Sequence, residues 1–517
     1  MRKVNGRTGF TCGDGRGLGC FGPPAGRTSS GGAFSISGDV HANGTHASGG
    51  GLKMNALRNS YSVFGLGKLG ASMAAAIASR GFPVVGVDVN QNAVEALNAG
   101  RAPVQETGLE ETIRANRDRL RATASHRDAV LNSDLSFVIV PTPSDQRGAF
   151  SLQYAAWAFR EIGRALAEKH AYHNIVLTST VLPGSTRYGL LPILERESGK
   201  RCGPDFGLCY SPEFIALGSV IRDFLNPDFN LIGEFDERAG SQLEACYAEI
   251  VEHGTPCRRM SIENAELTKV ALNTFVTTKI TFANMLADLC ERIPGGDVDV
   301  VSGALGLDRR IGGRYLAGAL GYGGPCFPRD NVALGFLARA IGTRADLAET
   351  TDRMNRSMPG KIVELLRPEI HRNTTVAVLG LAYKPYSHVI EESQSIYIAE
   401  ALSKAGARVI AFDPLAGEMA RAELCDRAIV MDSVAECLAQ ADVVLLATPD
   451  PVFCALHAED FLKCGRPVTV VDCWRLLTAE LAGHPRIRYI AVGRSADDAA
   501  NAARLASLWD GAVGVGA

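Results

Sequence analysis

Long apolar runs are missing from this 517-residue chain, so a helical membrane span, which needs about twenty consecutive apolar residues, is not expected. No apolar core follows Met1-Arg2-Lys3 either, which argues against a cleaved secretion signal. Charge of one sign is not in excess: 53 Lys and Arg stand against 56 Asp and Glu, a formal net charge of -3. So balanced a chain offers no field that would gather nucleic acid or an anionic membrane. The thirteen cysteines fall at irregular spacings without a C-x-x-C pair, which points to reduced thiols and a cytoplasmic location. Metal-ligand spacing is absent too. The ten histidines are dispersed, and His170 and His173 sit by themselves near a turn, so no metal is expected.

What is present is an ordinary globular balance, 46% apolar and 21% charged, in a chain long enough for two or three domains. Residues 1–53 stand apart, rich in Gly and Ser and poor in Leu, Ile and Val. Such a segment cannot bury enough surface to offset its ordering entropy, so disorder is expected there. Met54, just ahead of the first strand, would equally suit a translation start lying downstream of the one given.

From Tyr61 apolar strands alternate with helix-like stretches: Tyr61–Gly65, a helix over 69–80, Pro83–Asp88, Leu135–Val140 and Asn174–Ser179. That alternation predicts a parallel sheet covered by helices on both faces. A long helical stretch over 262–292 follows, carrying Leu267, Val270, Ala271, Phe275 and Leu286. Its length suits a spine between domains or a dimer interface. A second alternation begins with Thr375–Leu379 and continues through Ala407–Asp413, Ala441–Ala447 and Pro467–Asp472. The expected fold class is α/β, two Rossmann-like parallel-sheet domains joined by a long central helix and a helical middle domain. The expected boundaries are 54–260 for the first sheet, 261–372 for the helical middle and 373–517 for the second sheet.

Gly65-Leu-Gly67-Lys-Leu-Gly70 fits G-x-G-x-x-G after a strand and at the start of a helix. The glycines permit a tight turn and let backbone approach a diphosphate held at the helix N-terminus. Asp88, closing the second strand, suits the ribose hydroxyls and repels a 2′-phosphate, so NAD is expected rather than NADP. A ligand-free glycine turn is the competing reading, weakened by the strand, helix and carboxylate all standing in place.

Further along, Gly321-Tyr-Gly323-Gly324-Pro-Cys326-Phe-Pro-Arg329-Asp330 surrounds one thiol with glycines. A cysteine can trap an aldehyde as a thiohemiacetal, which loses hydride to become a thioester. Asp330 can then assist the water that hydrolyses it. Taken by itself this segment reads better as a buried structural cysteine in a Gly/Pro loop. Lys269 and Asn273, four apart on the long helix, share one face and can stabilise an oxyanion. By themselves they read better as a solvated lysine beside an asparagine.

These blocks carry a resemblance. From about Met54 to Arg494 the chain resembles the UDP-glucose/GDP-mannose dehydrogenase family. The blocks run in the family's order: the Gly65 turn, Pro141-Thr142-Pro143, Ser179-Thr180-Val181, Ser211-Pro212-Glu213-Phe214, Ala265 to Asn273, Asp308-Arg-Arg310-Ile-Gly312, the Cys326 loop and Gly380-Leu-Ala-Tyr383-Lys384-Pro385. The resemblance implies a four-electron oxidation of a nucleotide sugar's primary alcohol to the uronate, with two NAD consumed in turn, in a homodimer or larger homo-oligomer. It implies that Thr180 and Glu213 position water and assist proton transfer, that Lys269 and Asn273 hold the oxyanion, and that Cys326 is the nucleophile. Asp330 would support Lys269 and the water. Thr142, Ser179 and Thr180 would contact the cofactor together with Arg329. Phe214, Tyr315, Leu316 and Gly323 resemble the sugar-nucleotide loop, and Tyr383, Lys384 and Arg475 would meet the nucleotide. Arg310 resembles an arginine that crosses the dimer into the partner's site.

Three positions depart from the pattern. Relatives often carry glutamate where Leu217 stands and lysine where Ala317 stands, and Glu391 replaces a common arginine that faces the cofactor. Two other readings compete: a two-electron hydroxyacid dehydrogenase of the 6-phosphogluconate type, and a non-catalytic nucleotide-sugar-binding protein. The first needs neither a cysteine nucleophile nor a second nucleotide-type sheet. The second leaves Cys326, Lys269 and Asp330 without a purpose.

Overall fold

The computed structural model describes residues 59–215, 218–371 and 374–509. The Gly/Ser-rich segment 1–53 and Leu217 lie outside them. Eight strands form the first sheet: β1 (Tyr61–Phe64), β2 (Val84–Val87), β3 (Leu120–Thr123), β4 (Leu135–Val138), β5 (Asn174–Leu177), β6 (Gly207–Tyr210), β7 (Asn230–Glu234) and β8 (Cys257–Ser261). Their order is β3-β2-β1-β4-β5-β6-β7-β8, so the chain reverses its direction of winding between β1 and β4. A ligand crevice opens at such a switch point, above the carboxyl ends of the strands. The second sheet holds β9 (Thr375–Leu379), β10 (Arg408–Phe412), β11 (Ile429–Val430), β12 (Val443–Leu446), β13 (Val468–Asp472) and β14 (Ile487–Ala491). Its order β11-β10-β9-β12-β13-β14 repeats the same winding, and every pairing in it is parallel.

The central strands are apolar because helices cover both faces: β1, β2, β4, β5, β9, β12 and β13 are buried throughout. The strands that the sequence pattern does not announce lie mainly toward the sheet margins. β3 and β8 expose alternate residues, and β11 is two residues long. One expectation needs correction. The first sheet is not wholly parallel, because β7 runs antiparallel to β6. The link between them, which carries Glu213 and Phe214 and a short helix Val220–Leu225, never crosses to the other end of the sheet. It stays at the carboxyl ends of the strands, where the crevice is.

A spine helix, Ile262–Cys290, leaves β8 capped by Ser261, whose hydroxyl accepts from Asn264 N. Its buried face is mostly polar: Glu266, Lys269, Asn273, Thr274, Thr277 and Thr281 all point inward. Of the apolar residues singled out on this helix, Leu267 and Phe275 are exposed, together with Phe282, Met285 and Leu289.

The spine is joined to the second sheet by an ion-pair cluster. Arg475 has a side chain only 2% exposed, and its guanidinium pairs with Asp299 at 2.7 Å and donates to the Val492 and Cys473 carbonyls. Arg494 pairs with Asp297 at 2.9 Å, and Val298 N donates to Gly493 O. Arg475, expected to meet a nucleotide, is thus engaged within the protein in this structure. Its donors are spent on fastening the helix Val298–Leu307 to β14, and its backbone is held at φ 60, a conformation that such a network can maintain. Removing Asp299 leaves a buried guanidinium short of its partner. Asp299→Ala is expected to cost about 2–3 kcal/mol, the low side for a broken buried pair because Asp299 is itself half exposed. Comparing urea denaturation of the variant with that of the parent checks this, and coincident curves would refute the fastening role.

Candidate active site

The glycine-turn helix, Lys68–Ser79, starts from Gly67 with no side chain capping it, whereas the helices starting at Gln91, His126 and Glu237 are capped by Asn90, Ser125 and Asp236. Gly65 holds φ +99, and a Cβ there would strike Ile139 O; one at Gly70 would strike Gly65 O. A Cβ at Gly67, by contrast, would meet nothing within 4 Å. So two glycines close the turn and the third faces open space above the helix N-terminus, the cradle a diphosphate needs. Asp88 accepts from Leu66 N at 2.7 Å and from Asn90 N at 2.8 Å, which fixes its carboxylate beside the turn. These residues fit a dinucleotide.

At the ends of β4 and β5 the Ser179 hydroxyl accepts from Val140 N at 2.9 Å and donates to Val140 O at 2.7 Å, so it ties the two loops together. Thr142 donates to Thr180 O at 2.8 Å. The Arg329 guanidinium donates to Thr142 O at 3.4 Å and stacks 4.5 Å from the Phe150 ring, joining this rim to the cysteine loop.

Cys326 is the N-cap of the helix Phe327–Ala340, again without a side-chain cap. It is solvent-accessible, yet protein surrounds the sulfur on most sides, as for a residue on the floor of a cleft. Burial pushes the thiol above its ordinary range; Asp330 and Glu391 act in the same direction, while Arg329 and Lys269 oppose them. Lys269 is buried on the spine, and its ammonium donates to Glu213 O at 2.6 Å and lies 4.6 Å from the Phe214 ring centre. Burial lowers its pKa, opposed by Asp330, Cys326 and Glu213. Asp330, fully buried, accepts from Asn273 Nδ2 at 2.6 Å; burial raises its carboxyl, and the Arg329 and Lys269 charges pull it back. Glu213 is enclosed enough that desolvation raises its carboxyl to about 7. Perturbed groups gathered in one cleft are what a proton-transfer site looks like.

Cys326, Lys269, Asn273, Asp330, Glu213 and Phe214 therefore converge, although they come from three separate stretches of chain. The glycine loop ahead of Cys326 is pinned from two sides. Asn355 accepts from Tyr322 N and donates to its carbonyl, and Gln394, at the start of the second sheet's first helix, donates to the same carbonyl. Gly324, at φ +84, packs so tightly that a Cβ would sit 2.7 Å from the Tyr383 ring, and Gly324 N donates to Glu391 O. Thus Tyr383 and Glu391 of the second domain meet the cysteine loop at Gly324, and a Cβ at the neighbouring Gly323 would strike Glu392 O. Lys384 is near Glu106 and Asp223 of the first domain, and burial lowers its pKa. Leu316 is buried; Tyr315 takes φ 65 at the edge of the same loop. Arg310 stands outside the cluster, 87% exposed and paired with Asp308 on its own turn.

One buried carboxylate was not anticipated. Glu266, lifted to about 7 by burial, accepts from Gly184 N at 2.6 Å and Thr186 N at 2.8 Å and so braces the turn after Val181. It stands three residues before Lys269 on the same helical face, which was signal enough to find it. Asn355 and Gln394 carry no such signal. Among the described residues no group of three or more His, Cys, Asp or Glu side chains is arranged to hold a metal ion, and no helix is long and apolar enough to cross a membrane.

Against known proteins, residues 59–251 match the NAD-binding domain of the UDP-glucose/GDP-mannose dehydrogenase family, 263–357 its central domain and 377–479 its UDP-binding domain. The chain is 38% identical to UDP-glucose 6-dehydrogenase of Haloferax volcanii, over 81% of this chain and 97% of that protein. It is 33% identical to GDP-mannose 6-dehydrogenase of Azotobacter vinelandii, over 76% of this chain and 92% of that one. Among solved structures, a UDP-glucose dehydrogenase from the archaeon Pyrobaculum islandicum superposes with a TM-score of 0.78 at 36% identity, covering 86% of this chain and all of that one.

Proposed function

We propose, since this chain belongs to the UDP-glucose/GDP-mannose dehydrogenase family, that its NAD-dependent nucleotide-sugar dehydrogenase activity is a four-electron oxidation of a UDP-glucose-like substrate to the uronate through Cys326. The observation that carries this reading is the convergence of one accessible thiol with a buried ammonium, an amide and two carboxyl groups of raised pKa. A plain alcohol oxidation needs the ammonium but not the thiol.

Bound NAD supplies the hydride acceptor, one molecule for each two-electron step. Loss of hydride from the C6 carbon, with passage of its hydroxyl proton through the water held by Thr180 to the Glu213 carboxylate, gives the aldehyde. The developing oxyanion is stabilised by the Lys269 ammonium and the Asn273 amide. The Cys326 sulfur then bonds to the aldehyde carbon, giving a thiohemiacetal, and departure of the second hydride leaves a thioester. Water, oriented by Thr180 and deprotonated by Glu213, attacks the thioester carbon; the C–S bond breaks, the thiol is restored and the carboxylate leaves. Asp330, bonded to Asn273 and electrostatically coupled to Lys269, keeps both in register. The remaining contacts follow the cleft. Thr142, Ser179 and Arg329 border the nicotinamide end, Phe214, Leu316, Tyr315 and Gly323 the sugar, and Tyr383 and Lys384 the nucleotide. The alternative of a two-electron hydroxyacid dehydrogenase has no feature of the cleft in its favour.

We also propose that a second copy covers the exposed stripe Phe275, Phe282, Met285 and Leu289 on the spine, since so contiguous an apolar face seldom stays in water. Arg310, exposed on the adjoining turn, would then reach the partner. Phe275→Glu is expected to shift the protein toward monomer in sedimentation equilibrium; a parent protein that is monomeric at micromolar concentration would end the pairing proposal.

With UDP-glucose, two NADH are expected per uronate, and Cys326→Ser is expected to lose acid formation by at least a thousandfold while still binding substrate. A ratio of one, or a serine variant turning over normally, would remove the thioester. Because Glu213 has its carboxyl at about 7, the rate of acid formation is expected to rise as pH passes upward through that value and the carboxylate appears. Glu213→Gln should be slow and lack that limb; a limb that survives in the variant belongs to another group.

A further inference from the structure

Lys68 follows Gly67 in the glycine turn and is the first residue of the glycine-turn helix, and its ammonium reaches across the cleft. Lys68 Nζ lies 3.0 Å from Nε2 of His388, which belongs to the loop between β9 and the second sheet's first helix. An ammonium has only protons to give, so at this distance the imidazole nitrogen accepts. Both side chains are half-buried. The same loop carries Tyr383 and Glu391 onto the cysteine loop, and Gly218 of the first domain approaches Tyr386 O. The loop therefore roofs the first domain's crevice, and Lys68–His388 joins roof to floor at the diphosphate end, beside Gly67 and the uncapped helix N-terminus.

We infer that Lys68 and His388 form a two-sided clamp on the cofactor's diphosphate, so that the second domain takes part in holding NAD as well as the nucleotide sugar. The fit is electrostatic. A diphosphate seated over Gly67 brings two negative charges next to a fixed ammonium and to an imidazole that can offer a second donor. Both groups point to the same place from opposite walls. The bond between them fixes both side chains in place, which lowers the ordering cost of holding a dinucleotide there. The consequence concerns binding rather than chemistry, since neither residue lies within the cysteine cluster. It rests on the NAD-binding role of the first domain and is independent of which sugar is oxidised.

The test is direct titration with NADH in the absence of sugar nucleotide, followed by the fluorescence of the reduced nicotinamide, using the full chain. Lys68→Met should weaken NADH binding on the order of tenfold or more, as expected for loss of a charged hydrogen bond, and His388→Ala by several-fold. Lys68→Arg should recover most of the loss. The double variant should lose less than the product of the two single losses, because the pair acts on one ligand group. Competition separates the diphosphate from the rest of the cofactor: ADP should lose affinity in Lys68→Met as NADH does, and adenosine should not. Unchanged NADH affinity in both single variants overturns the clamp. So does a lowered melting temperature with unchanged affinity, which would make the contact a structural latch alone. Equal loss for ADP and adenosine overturns it as well, by assigning the effect to the adenosine pocket. A parent protein that binds NADH but oxidises no nucleotide sugar would count against the proposed reaction and leave the clamp standing.

Discussion

An ammonium inside a protein gives up its hydration, and the cleft of this protein is built around one that has done so. Lys269 is buried on the spine with one hydrogen bond, to the Glu213 carbonyl, and an aromatic face beside it. Neither replaces water, so burial lowers its pKa, and the carboxyl groups of Asp330 and Glu213 oppose that shift. The relation is mutual. Asp330, equally buried, keeps its own pKa in check through Lys269 and Arg329. Removing any of these groups leaves another uncompensated, which ties the positions of residues from three distant stretches to one another.

That mutual dependence explains why the polypeptide around the site is so closely fastened. The spine helix turns polar residues inward, the reverse of an amphipathic core helix, since its buried face lines a site and not an oily interior. Glu266 braces the turn beside Thr180, Asn355 and Gln394 brace the loop before Cys326, and Asn273 braces Asp330. The Arg475–Asp299 and Arg494–Asp297 pairs hold the second sheet against the same spine. Each is a charged or amide group used to fix a backbone segment, so the reacting side chains inherit rigid supports.

The fold and much of the site were readable in the sequence for different reasons. Central strands such as β1, β4, β12 and β13 are covered on both faces, so they survive as plain apolar runs. β3, β8 and β14 are edge strands with exposed positions and charged residues, and a run like Cys257-Arg-Arg-Met-Ser261 offers no period to recognise. Antiparallel β7 was invisible because direction is set by where the preceding loop travels, not by composition. In the site, Lys269, Asn273 and Cys326 stand out through the ordered blocks of the resemblance, since spacing and glycines alone favour a solvated lysine and a structural cysteine. A resemblance transfers a residue type but not its partners: Asp299 and two carbonyls engage Arg475, which no sequence pattern announces. Gln394 and His388 make their contacts from the far domain, and no local pattern connects positions so distant in sequence.

The raised thiol bears on the order of events in the proposed reaction. A cysteine at a helix N-terminus beside a cation is the usual recipe for a thiolate at neutral pH. In this cleft burial and the carboxylates of Asp330 and Glu391 outweigh the helix and Lys269, so the sulfur rests protonated. A neutral thiol does not spoil the first oxidation: it neither draws Lys269 away from the alcohol oxygen nor attacks prematurely. Once an aldehyde is held there, addition of sulfur moves negative charge onto the carbonyl oxygen, the very place where Lys269 and Asn273 can receive it. The same ammonium would then serve both oxidations, first on the alkoxide and then on the thiohemiacetal, which is reason enough for the chain to keep one charge buried at such cost.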